Sequence, residues 1–224
     1  MTDPREAAAN ATHEALTQAW SRWGTLDADV LTHLINPAFM GGPRWPAMRQ
    51  AYRVARRDGA VLLASDGLAD PFDDGPTDVN GCGLEFYAIT RDPLERVAGS
   101  WLWDVVWQMS NFAAGHGGIR SLLDELGVLS TELYDVGIPA EHAARFVNEH
   151  GRVGVLLGVA DPHVPALVAG PRSSIRLVAV TLLTLDELAL AASGGGAGRA
   201  RLAGLLAAQP DPTHSSLQRR SVLA

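Results

Sequence analysis

At 224 residues, with 47% hydrophobic and 19% charged side chains, the chain has the length and balance of one globular domain. A formal net charge of −7 speaks against a duplex nucleic-acid binder, which needs a basic stripe to displace counterions. A single cysteine, Cys82, excludes an intrachain disulfide framework and a cysteine-rich zinc site.

The N-terminus carries charges and no apolar core, and no apolar stretch reaches the roughly 18 residues of a membrane span. The expectation is a cytoplasmic protein without signal peptide or membrane segment. Asp3-Pro4 opens a first helix, with aspartate suited to the N-cap and Gly24 to the far end. Leu16, Trp20 and Trp23 give it an apolar face. A short second helix is expected over Asp27–Ile35, before NPAFMGGPRWP breaks regular structure.

RQAYRVARRDGAVLLASDGL reads as a β-hairpin about Asp58-Gly59, and the alternating CGLEFYAIT as a strand over Leu84–Thr90. A helix starts near Ser100 with apolar residues nearly all round, so it is buried on most sides or faces a partner. GIRSLLDELG is a short helix closed by Gly127, and Pro139 opens another that Gly151 closes. RVGVLLGVA and SSIRLVAVTLLT are strands joined by the proline-rich DPHVPALVAGPR. Thr184 and Glu187 match a capping box for a helix to Ala192. A flexible SGGGAG and a last helix, RARLAGLLAAQ, follow. The division expected is one domain over 1–208, with N-terminal helices in 4–36 and a core in 45–208, then a mobile tail over 209–224.

The stretch SDGLADPFDDGPTDVNGCGLEF concentrates carboxylates at Asp66, Asp70, Asp73, Asp74 and Asp78. It lacks the calcium-loop spacing, and Pro71 and Pro76 hinder convergence, so the aspartates read as turn formers. The alternative is a hydrolase using the Asp66–Asp78 carboxylates, with or without a divalent metal. The histidines form no metal-binding pattern. AGHGGIR lacks a G-x-S-x-G partner, and the lysine-free chain has no phosphate loop. Cys82 reads as a small buried thiol. No catalytic residue, metal ligand or cofactor is expected. Trp101, Trp103 and Trp107 cannot all point inward from one narrow stripe, so some of them should line a groove. With Asp66, Asp70, Asp73 and Asp74 they are the candidate partner-binding residues.

The order of segments resembles the suppressor of fused family. The residues that carry the resemblance are Gly67, Leu68 and Asp70; Gly83, Leu84, Glu85 and Phe86; Trp101; and Leu185, Asp186, Glu187 and Leu188. It covers residues 50 to 207. Three departures stand out: Ala69 replaces the family serine, Leu102 replaces the proline after the helix-opening tryptophan, and 117–150 is unlike the animal form. The resemblance implies a single α+β domain, a mixed and mostly antiparallel sheet with helices packed around it, and no enzymatic activity. It also implies a protein as partner. The animal members hold a transcription factor between two lobes, and this chain is expected to lack the second. The bacterial single-domain relatives imply an immunity protein that neutralises a toxin domain by binding it.

Overall fold

Asp3 accepts the Arg5 amide at 2.9 Å and Pro4 takes the first helical position, so α1 (Pro4–Trp23) begins where its capping residues place it. The structure is a computed structural model that describes residues 3–74, 76 and 78–224. Gly75 and Thr77, from the aspartate-rich stretch, lie outside the described residues, as do Met1 and Thr2.

Residues 27–35 do not form the expected helix. Two short strands, β1 (Thr25–Leu26) and β2 (Leu31–Thr32), pair along the outer edge of β3 (Ala51–Arg57). Asp27 decides the matter: its amide donates to Val54 O at 2.9 Å and its carboxylate takes the Arg56 guanidinium. Those long-range bonds outweigh a local helical preference of a few tenths of a kcal/mol per residue. A 3₁₀ turn over Pro37–Met40 follows.

β3 turns into β4 (Ala60–Asp66) through Asp58 and Gly59, whose φ angles of 49° and 77° suit a two-residue hairpin turn. β5 (Leu84–Thr90) occupies the expected residues, and all seven are buried although the stretch alternates. The reason is tertiary, since helices cover both faces of the sheet here.

Next come α2 (Trp101–His116), capped by Ser100, and α3 (Ile119–Leu126). A strand not expected from the sequence, β6 (Leu129–Tyr134), follows, in which Leu129, Thr131 and Leu133 share one side of the alternation. α4 (Ala140–Phe146) stops well short of Gly151, because Val147 bridges to Val153 and the chain becomes extended. β7 (Arg152–Leu157), β8 (Leu167–Ala169) and β9 (Ser174–Leu182) complete the strands, β8 lying inside the presumed loop. α5 (Leu185–Ser193) has its Thr184–Glu187 capping box. The glycine run is not a linker but the first turn of α6 (Gly195–Ala207). Bare glycine at 198 lets the two helices touch, since a Cβ there would sit 2.4 Å from Leu190 O.

Among the described residues these are six α-helices and nine strands in one α+β domain. The strand order is β1-β3-β4-β5-β9-β7-β6, with β2 on β3 and β8 on β9, and β5–β9 is the one parallel strand pair among the described residues. α2 and α3 bury Leu102, Val106, Met109 and Leu123 against one face, over Leu63, Phe86 and Val180. On the other face α1 lays Leu16, Trp20 and Trp23 over Leu62, Tyr87 and Ile89, while α5 and α6 cover Leu156 and Leu183.

The last residues, expected to be mobile, lie against the domain. Ser215 donates its amide to Ile89 O and its hydroxyl accepts from Leu182 N–H, both at 2.9 Å or less. Arg219 then reaches the buried Glu187. A polar, proline-bearing stretch is held here by side-chain bonds that composition does not reveal.

Candidate functional site

The aspartate-rich stretch separates into an inner and an outer half. Glu85, wholly buried on β5, accepts the Gly67 amide at 3.0 Å, the Ala69 amide at 2.9 Å and the Ser65 hydroxyl at 2.5 Å. It therefore organises the turn that follows β4. Gly67 is required there: its φ is 144°, and a Cβ would lie 2.4 Å from Arg49 O. Burial, together with the neighbouring Asp66, pushes the Glu85 carboxyl up to about 8.

Asp66 and Asp70 face inward and meet arginines. Arg49 grips Asp70 through Nε and Nη2, both at 2.8 Å, and touches Asp66 at 2.9 Å. Arg53 adds a bond to Asp66 at 3.0 Å and reaches His13 on α1 at 2.6 Å. Burial alone would raise the Asp66 carboxyl, but His13 and the Arg49 charge outweigh it and hold it well below the usual carboxylate range. For Asp70 burial prevails over Arg49, and the direction is upward. Both carboxylates are almost wholly buried and are paired with arginines.

Asp73 and Asp74 point the other way, into solvent. Arg44 bridges to them at 3.3 and 3.9 Å, and Asp74 remains 87% exposed. Asp78 is exposed as well. The five carboxylates thus do not converge on one cavity. Among the described residues no group of three or more His, Cys, Asp or Glu could hold a metal ion. Burial, then the Glu85 charge, pushes the Cys82 thiol up to about 12, far from a reactive thiolate.

The three tryptophans of α2 also separate. Trp101 is buried, whereas Trp103 and Trp107 are half-buried. Trp103 packs against Tyr52, with ring centroids 4.5 Å apart, and His33 stands edge-on to Trp103 at 5.8 Å. Trp107 lines a cleft of about 600 Å³ with Phe112 from α2, Leu188 from α5 and the residues of β6.

β6 is the terminal strand of the sheet and its outer edge opens into this cleft. The side-chain amide of Gln108 spans Tyr134, donating to its carbonyl and accepting its amide at 3.0 Å. Tyr134 therefore turns its backbone away from β7. By the period of two along an antiparallel ladder, Glu132 and Ser130 do the same. Their outward amides and carbonyls have no hydrogen-bond partner among the described residues. Gln108 serves as one residue of a missing strand. The Leu-Ser-Thr-Glu-Leu alternation was the signal that could have located this edge; nothing in the sequence pairs Arg49 with Asp70 or Gln108 with Tyr134.

Leu68 is buried beside Gly67 in the turn, Gly83 leads into β5 with a φ of 71°, and Asp186 and Glu187 open α5. No family profile and no curated protein sequence matches the chain. Solved structures do. A chain of the Sufu–Fu complex crystal structure superposes with a TM-score of 0.57 at 14% identity, over 96% of this chain and 92% of that one. Drosophila Suppressor of Fused superposes with a TM-score of 0.61 at 14% identity, over 100% of this chain but 54% of that chain, about half its length. The chain has the suppressor of fused type of fold.

Proposed function

We propose that the chain is a non-enzymatic protein-binding domain that takes an extended segment of a protein partner along the free edge of β6. The unpaired backbone groups of Ser130 and Glu132, beside Trp107 and Phe112, carry the reading. Strand addition of this kind draws affinity from main-chain bonds and specificity from neighbouring side-chain pockets. The Sufu–Fu complex, whose name joins the fold to a second protein, supports the general class.

The partner we infer is a toxin domain, with the chain as a bacterial, cytoplasmic immunity protein of single-domain type. The resemblance in sequence supports this, and so does the net charge of −7, which favours a basic partner. Co-purification from the native host tests the reading, with Ser130→Pro as comparison. Proline on an edge strand removes an outward amide that the ladder does not use. Wild type retains a specific protein and Ser130→Pro loses it. No specific protein, or equal retention by both, overturns the proposal. A retained protein without toxicity in its producing host removes the immunity role alone.

A further inference from the structure

The excursion between β2 and β3 turns its apolar side chains outward. Leu34 is fully exposed, Ile35 largely so, and Phe39 and Met40 are 75% and 76% exposed. Apolar side chains this large, gathered over residues 34–40 and left in water, are a feature that folding alone does not account for.

The ridge is built rather than slack. The Asn36 side chain accepts the Ala38 amide at 2.9 Å and donates to Met48 O at 2.5 Å. The Gly42 amide closes the turn on Pro37 O at 2.9 Å. His33, at the root of the excursion, stands edge-on to Trp103 and to Trp107, which ties the ridge to α2. At its far end Arg44 joins it to Asp73 and Asp74. An apolar surface held in one conformation binds without the cost of ordering itself.

Its charged surroundings select the occupant. Asp73 and Asp74 outnumber Arg44, the cation that bridges them. An anionic lipid surface would be repelled by that rim. A second copy on a two-fold axis would bring the same acidic rim against itself, between chains of net charge −7. A partner with apolar and basic side chains together meets both features.

We propose that Leu34, Ile35, Phe39 and Met40, rimmed by Asp73 and Asp74, form a docking surface for a basic, amphipathic segment of a protein partner. Apolar side chains of that segment cover Phe39 and Met40, and its arginines or lysines pair with the two aspartates. None of these four side chains lines the β6 cleft. The variants below leave Ser130 and Glu132 untouched, so this proposal and the β6 reading fail independently.

The test uses a fluorescein-labelled helical peptide of about five turns, with leucines on one face and arginines on the other, and a twin carrying glutamates for arginines. Fluorescence anisotropy with the whole chain should show binding of the arginine peptide only, weakening as salt rises. Phe39→Asp with Met40→Asp, and separately Asp73→Asn with Asp74→Asn, should each weaken it about tenfold or more. Glu149→Gln, a distant and exposed carboxylate, should leave it unchanged. Equal binding of both peptides, or equal loss in Glu149→Gln, overturns the proposal. So does a sedimentation shift from dimer to monomer in Phe39→Asp, which would make the occupant a second copy. The aspartate-to-asparagine pair alters no packed side chain, and it decides the matter should the apolar pair fail to fold.

Discussion

The Ser65 hydroxyl donates to Glu85 Oε2 at 2.5 Å in a site closed to solvent. Two backbone amides bond the other oxygen, while the nearby arginines are committed to Asp66 and Asp70. Glu85 is thus a buried carboxyl with donors but no cation of its own, and burial before all else holds its pKa up at about 8.

A carboxyl whose pKa is higher folded than unfolded takes up a proton on folding. Glu85 therefore favours the fold most below its ordinary value of 4.5, and the advantage drains away as pH rises to about 8. Glu85→Gln cannot ionise and loses that slope. Urea unfolding across this window should show the variant gaining on wild type by a few kcal/mol. A constant gap between the two proteins would mean that Glu85 does not titrate there.

The inner and outer aspartates should respond very unequally to neutralisation. Asp66→Asn leaves Arg49 and Arg53 without their shared carboxylate and should cost about 3–5 kcal/mol. Asp74→Asn, on the exposed rim, should change stability by no more than about 0.5 kcal/mol. Because the Asp66 pKa is lowered on folding, its contribution is present above the unfolded value near 3.8 and is lost as pH falls through and below it. Acid titration by circular dichroism reads this directly: Asp66→Asn should lack that acid limb.

Arg219 holds the chain's last turns through Glu187, with Nη2 2.5 Å from Oε2 and Val222 N–H on Oε1 at 2.9 Å. Arg219→Met strands a wholly buried carboxylate and should cost about 3–5 kcal/mol. Replacing both partners, Glu187→Gln with Arg219→Met, should restore part of it, since no buried charge is then left alone. A double-mutant cycle in urea gives the coupling.

Two glycines of α6 should answer the same substitution with opposite signs. Gly198→Ala drives a methyl to 2.4 Å from Leu190 O and should cost about 1–3 kcal/mol by forcing α5 and α6 apart. Gly204→Ala meets open space and should add up to about 1 kcal/mol of helix propensity. Thermal unfolding of the two variants separates packing from propensity.

Much of the fold is legible because its signals are short-range. The Asp3 cap, the Asp58-Gly59 turn and the Thr184–Glu187 box each act within four residues, and the structure honours all of them. The candidate site was only half legible. Trp107 stood out as an aromatic, but β6 itself went unseen because a half-buried edge strand alternates weakly beside a strong neighbouring helix.

From the sequence alone came most element boundaries, carried by patterns within single segments, and the resemblance to suppressor of fused, which rests on the order of those segments and implied the α+β class. The tertiary structure decided whether each polar side chain faces in or out. Asp66 and Asp74 belong to one aspartate-rich stretch, yet one meets Arg49 and Arg53 in the interior and the other meets water. It also decided that Thr25–Leu26 and Leu31–Thr32 pair as strands, that the glycine run packs as helix and that Arg219 secures the C-terminal residues. Each outcome depends on a partner far away in the chain, and a long-range bond to a buried charge outweighs the few tenths of a kcal/mol that local preference supplies.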